Sequence, residues 1–209
     1  MSGTHTEEYV VETSVKDPDL VEKRRAEIID AAVTVFTQKG YHAATTKEIA
    51  DLAGMNAGTM FQYVKNKQDI LYLVCCHIHS RIEEALYVAV EDLDPMEVIA
   101  KSVTALYRIV DQLSDYVVLM YRETASLEKA ARSSFLSREQ RLCSHLENHI
   151  RLGIERGVFS IDPRSVPLIA EDILVQAQMW AFRRWSLSKK FTLERYIATR
   201  LELLQALLQ

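Results

Sequence analysis

A chain of 209 residues, 48% hydrophobic with only six Gly and four Pro, is long enough to bury a large core and too poor in breakers for a loop-rich or fibrous protein. Its net charge of −4 excludes a uniformly basic nucleic-acid binder, and no apolar run approaches the roughly 18 residues that a membrane span requires. Three cysteines, two of them adjacent at Cys75 and Cys76, make neither a disulfide framework nor a C-x-x-C metal motif, so a cytoplasmic protein with reduced thiols and no membrane partner is expected.

The charge is unevenly spread. Residues 1–20 carry Glu7, Glu8, Glu12, Asp17 and Asp19 against Lys16 alone, which leaves residues 21–209 formally neutral. Such an acidic, apolar-poor segment predicts a disordered arm over 1–20. A first helix is expected from about Val21 to Lys39, with Ile28, Ile29, Ala32, Val33, Val35 and Phe36 on its inner stripe and Gly40 at its end.

The stretch from Thr45 to Lys67 is the most informative in the chain. Thr45 stands three residues before Glu48, the spacing of a capping box, so a short helix begins at Thr46. Ile49, Ala50 and Ala53 recur at helical spacing, and Ala50 is small enough to let another helix cross closely. Gly54 suits the left-handed position that closes a helix, and Asn56 suits the cap of the next one. In that next helix Met60, Phe61 and Val64 are expected inward, with Thr59, Gln62 and Tyr63 outward. Two short helices joined by a glycine turn form a helix-turn-helix, whose second helix lies in a DNA major groove. The local charge agrees, because Lys23, Arg24, Arg25, Lys47, Lys65 and Lys67 all fall in this part of the chain and only cations near phosphate release counterions.

A long helix is then expected from Lys67 to about Leu93. Further helices follow from Pro95 to Leu113, Asp115 to Leu127, a short piece from Lys129 to Phe135, and Ser137 to Arg156 with Gly157 as cap. Asp162-Pro163 opens a helix to about Leu187, and Thr192 caps a last one to about Leu208. No stretch alternates as a strand does. The expected fold is all-α, about nine helices, divided into the arm (1–20), a helix-turn-helix DNA-binding domain (21–66) and a helical effector-binding and dimerisation body (67–209).

These residues resemble the DNA-binding domain of the tetracycline-repressor (TetR) family of bacterial transcription regulators. The likeness lies in Ile-Ile-Asp-Ala-Ala at 28–32, Phe36, Gly40-Tyr41, Thr45, Ile49-Ala50, Ala53-Gly54, Gly58-Thr59, Phe61, Tyr63, Lys65-Asn66-Lys67 and Ile70-Leu71. Phe61 replaces a common tyrosine and Val64 a common phenylalanine. The resemblance implies a homodimer that binds a palindromic double-stranded operator and releases it when a small molecule enters the body. It further implies that Thr46, Lys47, Tyr63 and Lys67 hold phosphates while Ala57, Gly58, Thr59 and Gln62 approach base edges. A glutamine can address an adenine edge, and the methyl of Thr59 or Ala57 can pack on a thymine methyl. Each has a plainer reading as well: Thr45 as a cap with or without a DNA contact, Tyr63 as a packed ring, Lys67 as a solvated lysine opposed to its helix dipole.

In the body, Tyr107, Arg108, Met120, Tyr121, Arg122, Gln176, Met179, Trp180 and Arg183 form the candidate effector set, an apolar wall with a few polar anchors, against the alternative of ordinary packing. They suit a hydrophobic anion such as an acyl or aromatic coenzyme A thioester, and Leu119 to Leu127 is loosely similar to regulators of lipid catabolism. The dense apolar residues of the two C-terminal helices exceed one face and call for a partner copy, which the family likeness places there. His145 and His149 share a helix face, yet no third ligand is in register, and no metal or cofactor is expected. Neither Glu-x-x-His, P-loop, His-Glu-x-x-His nor Gly-x-Ser-x-Gly occurs, so no catalytic residues are assigned. The function read from the chain is a ligand-responsive repressor, with an activator or ligand-independent DNA binder as the alternative and a helical enzyme or metal binder more remote.

Overall fold

The computed structural model describes residues 9–87 and 93–209, and among them every regular element is a helix. In chain order these are α1 (Pro18–Lys39), α2 (Thr46–Leu52), α3 (Ala57–Met60), α4 (Lys67–Leu86), α5 (Pro95–Gln112), α6 (Ser114–Glu123), α7 (Lys129–Glu155), α8 (Val166–Phe182), α9 (Arg184–Leu187) and α10 (Leu193–Leu208). Single 3-10 turns at Thr124–Ser126 and Pro163–Ser165 precede α7 and α8. The chain divides into two compact units, residues 1–78 with 118–137, and residues 79–117 with 138–209. The division falls within α4, α6 and α7, so each supplies residues to both units.

In the first unit α1 packs on α2 and α2 on α3. Ile28, Ala32, Phe36, Ile49, Ala50, Met60, Val64, Ile70 and Leu71 are all essentially without exposure, so the three short elements share one core. The caps are those the residue types dictate. Thr45 Oγ1 accepts from Glu48 N–H at 3.2 Å while Glu48 Oε2 accepts from Thr45 N–H at 3.0 Å. Asn56 Oδ1 accepts from Thr59 N–H at 2.8 Å, and Gly54, at φ 70°, makes the left-handed turn between the helices.

The disorder expected over 1–20 does not hold for residues 9–20; residues 1–8 lie outside those described. Asp17 caps α1 by accepting from the N–H groups of Asp19 and Leu20, with Pro18 at the first helical position, so α1 starts three residues before Val21. Residues 9–15 form no regular element, with a bend at Ser14, and Val11 is buried. Tyr9 donates its hydroxyl to Asp69 at 2.7 Å and meets the Tyr72 ring edge-on at 4.9 Å. Burial first, and then the bond to Asp69, pushes the Tyr9 phenol up to about 12, so it stays a donor at neutral pH.

In the second unit α5 packs against α8 and α10. Tyr196 of α10 meets Tyr107 of α5 at 5.6 Å and Trp180 of α8 at 5.0 Å, and the Trp180 indole donates to Asp111 at 2.7 Å. On α7 the His145 and His149 rings stand 4.5 Å apart, with His145 Nε2 bonded to the Leu86 carbonyl at 2.9 Å. Burial, and then His145, holds His149 down to about 4, which keeps its imidazole neutral at physiological pH.

Several helix limits differ from expectation for identifiable reasons. The break proposed between Phe135 and Ser137 is absent, and α7 runs unbroken, because Leu and Ser cost at most a few tenths of a kcal/mol inside a helix, roughly 0.5 for Ser. The helix expected from Pro163 to Leu187 is interrupted at Arg183, where φ is −111°. Beyond it Arg184 is drawn to the Asp111 carbonyl at 3.1 Å and Ser114 Oγ at 2.9 Å. The helix from Asp115 ends at Glu123 in a 3-10 turn rather than reaching Leu127. The extension of α4 to Leu93 passes through residues 88–92, which lie outside the described residues; α4 is helical to Leu86.

Candidate nucleic-acid interface and effector residues

The start of α2 and the α3 segment carry the candidate DNA contacts. Lys47 is exposed in the first turn of α2, with Thr45 exposed and Thr46 half-buried beside it. Helix N-termini present unpaired N–H groups and a positive dipole end, the arrangement that receives phosphate. On α3, Gly58 is exposed and Ala57 and Thr59 half-buried, and Gln62 is exposed in the turn just beyond it. A Cβ on Gly58 would sit 3.3 Å from Asn56 Oδ1, so glycine preserves the cap and leaves the backbone open to close approach. Seven of the nine candidate residues therefore lie at the surface on these two elements or directly beside them.

The other two are placed differently. Tyr63, expected at a phosphate, is only 4% exposed, so its ring is part of the core of this unit. Lys67, expected at a phosphate, aims its ammonium at three carbonyls, Tyr41 at 2.9 Å, His42 at 3.2 Å and Ala44 at 3.0 Å, and lies over the Tyr41 ring at 4.6 Å. All three donors of the ammonium are thereby used, and the lysine pins the loop that leads into α2. The ammonium is therefore engaged by backbone carbonyls rather than simply solvated. Lys67→Met is expected to lower unfolding stability by about 2 kcal/mol while leaving the salt dependence of DNA binding unchanged. A fall of about one unit in the slope of log affinity against log salt would restore the phosphate role.

Phe61 is the residue that sequence reasoning misplaced in the opposite sense. Expected inward, it is 46% exposed beside Gln62, while Met60 and Val64 fill the core. A four-residue helix is too short for a 3.6-residue period to assign every face, so the turn after Met60 decides where Phe61 points. An exposed aromatic next to the candidate base-reading glutamine adds an apolar surface suited to a thymine methyl.

Residues 28–72 match the family model described as bacterial regulatory proteins, tetR family, and residues 92–200 match the tetracyclin repressor-like C-terminal domain, about half of the chain. The chain belongs to the TetR family. The HTH-type transcriptional regulator HbdR from Aromatoleum sp. (strain CIB) is 33% identical over 195 residues, covering 93% of this chain and 84% of that protein. Two solved structures match over nearly their full length. AibR in complex with isovaleryl coenzyme A and operator DNA has a TM-score of 0.72 at 20% identity, covering 86% of this chain and 97% of that one. FadR from Bacillus subtilis in complex with stearoyl-CoA has a TM-score of 0.70 at 24% identity, covering 88% and 99%. This TetR-family transcriptional regulator thus shares their fold.

The candidate effector set of the regulator does not assemble as one group. Tyr107 and Gln176 line a cavity of about 120 Å³ between α5, α8 and α10, together with Val103, Ile169, Asp172, Ile173 and Arg200. Burial pushes the Tyr107 phenol up to about 12, with Arg200 opposing the shift. The others fall elsewhere. Arg108 is exposed and paired with Glu194 at 3.1 Å, Arg183 lies over the exposed Trp185 ring at 5.0 Å, and Trp180 is committed to Asp111. Met179 is half-buried on α8 outside that lining. Met120, Tyr121 and Arg122 belong to the first compact unit, where Met120 is fully buried and the other two are exposed. Sequence proximity to aromatics was a poor guide here because a helix sends neighbouring residues to opposite sides. Arg200, unmentioned among the candidates, brings the only cation of that cavity lining.

Proposed function

We propose that this regulator binds a palindromic operator as a homodimer, acts in the cytoplasm without catalysing a reaction, and leaves its operator when a hydrophobic anion of the acyl-CoA class binds its body. The observation that carries the DNA half is the joint exposure of Lys47 on α2, Gly58 on α3 and Gln62 in the turn that follows, on two capped short helices over a fully buried core. The dimer is supported by Leu168 and Val175 on α8 and Leu203 and Leu207 on α10, large apolar side chains all exposed in the single chain. The effector class is supported by the printed ligands of AibR and FadR, isovaleryl and stearoyl coenzyme A. The Tyr107 cavity, at about 120 Å³, is below the roughly 300 Å³ of a ligand pocket, so an effector seated there requires that cavity to enlarge, whereas Arg108 lines a more open groove of about 530 Å³. Such an enlargement supplies the two states with different effector affinity on which release depends.

The test selects binding sites from a random duplex pool with the effector-free protein, then titrates acyl-CoA and aromatic acyl-CoA thioesters against the enriched site. A discrete palindrome, protected in footprinting and released at least tenfold by one of these thioesters, is the expected result. An unselected pool overturns the DNA half, and release by neutral or cationic compounds alone overturns the effector class.

A further inference from the structure

The α3 segment is a single helical turn, too short to hold itself, and its Ala57, Thr59 and Met60 carbonyls are met only by the N–H groups of residues 61–64. The carbonyls of Gln62 and Tyr63, in the turn just beyond it, are met from a distance in sequence. The Gln62 carbonyl accepts from Thr13 Oγ1 at 2.8 Å and Ser14 N–H at 3.0 Å. The Tyr63 carbonyl accepts from Arg25 Nε at 3.1 Å and Nη2 at 3.0 Å, and the same Nη2 reaches the Val11 carbonyl at 2.7 Å. Glu12 pairs with Lys65, one residue beyond the buried Val64. The far end of the segment is held as firmly. Tyr9 donates its N–H to Ser134 Oγ at 3.2 Å and its hydroxyl to Asp69, and the Tyr72 hydroxyl shares a hydrogen bond with the same Ser134 oxygen at 2.8 Å.

We propose that residues 9–15 are a positioning strap for operator reading: Thr13 and Ser14 fix the Gln62 backbone, Arg25 clips strap to helix, and Tyr9 anchors the strap to α4 and α7. The proposal rests on the reading that Gln62 meets base edges, and gives that glutamine a fixed origin that α3 alone does not provide. Thr13 is a positioning residue because it touches the recognition backbone and not the groove. A side chain launched from a loose turn loses discrimination between sites before it loses attraction to phosphate, since base contacts demand alignment and charge does not.

The experiment compares wild type, Thr13→Val, Thr13→Ser and Val11→Asp for affinity to the selected operator and to a random-sequence duplex of equal length, with amide hydrogen exchange of the peptide spanning 57–64 in the free protein. Thr13→Val is expected to weaken operator binding about fivefold, the equivalent of one lost hydrogen bond, and random-duplex binding by less than twofold. Thr13→Ser should return to wild type, Val11→Asp should lose tenfold or more on the operator, and exchange over 57–64 should quicken in Thr13→Val and Val11→Asp. Equal losses on both duplexes, or unchanged affinity with unchanged exchange, overturn the strap. If wild type selects no operator, the base-reading assignment fails by itself, and the exchange comparison decides the strap separately: faster in both variants supports it, unchanged overturns it.

Discussion

Gly153→Ala is expected to destabilise the protein by about 2 kcal/mol, measured as a lowered midpoint in equilibrium denaturant unfolding. Helix propensity alone argues the other way, since alanine inside α7 should gain about 1 kcal/mol over glycine. Packing decides the sign. The Phe159 ring lies directly on Gly153, and a Cβ built there would fall among the ring atoms, with Cγ 2.9 Å away. The ring cannot easily withdraw. Phe159 is 3% exposed, and its N–H and that of Val158 both close on the Gly153 carbonyl, at 3.1 and 2.9 Å, in the turn that Gly157 makes at φ 70°. Phe159→Leu combined with Gly153→Ala should recover part of the loss, because the two changes act on one contact. Additive losses in the double variant would contradict this account.

Asp69→Ala is expected to cost about 3 kcal/mol, a drop of roughly 6–12 °C in melting temperature for a chain of this length. Asp69 is 2% exposed, yet its carboxylate holds two hydrogen-bonding groups in place. It accepts from Lys65 N–H at 2.8 Å and from the Tyr9 hydroxyl at 2.7 Å, and its own N–H is capped by Asn66 Oδ1 at 2.9 Å, which starts α4. Its charge also faces the Arg25 guanidinium, whose pKa burial lowers and Asp69 raises. Alanine would leave a buried N–H and a phenol without acceptors and Arg25 without its counter-charge. Asp69→Asn keeps an acceptor oxygen and should lose less than half as much. A loss equal to that of alanine would place the whole effect in the charge.

The parts of the fold legible in the chain are those whose chemistry is local. Thr45 with Glu48, Asn56 with Thr59, Asp162 with Arg164 and Thr192 with Arg195 each pair groups two to three residues apart, and each cap lies where the residue types placed it. Asp17-Pro18 carries the same signature as Asp162-Pro163, so the early start of α1 was readable, but the acidic surroundings argued for disorder. What could not be read is non-local. The Lys67 ammonium reaches back 23 to 26 residues to its carbonyls, Thr13 reaches forward 49 to Gln62, and Tyr9 reaches 125 to Ser134. No window of sequence contains both ends of such a contact. The same limit explains the effector candidates, since only the packing of α5 on α8 and α10 brings Tyr107, Gln176 and Arg200 to one cavity.

The path of residues 9–15 bears on how the molecule is handled. An affinity handle, fluorophore or surface linker joined upstream of Tyr9 pulls on a cord whose other end is tied to the Gln62 carbonyl. On the strap proposal, tension or bulk introduced there would reach the turn that carries Gln62, and two preparations differing only in their leader peptide would then report different sequence preferences.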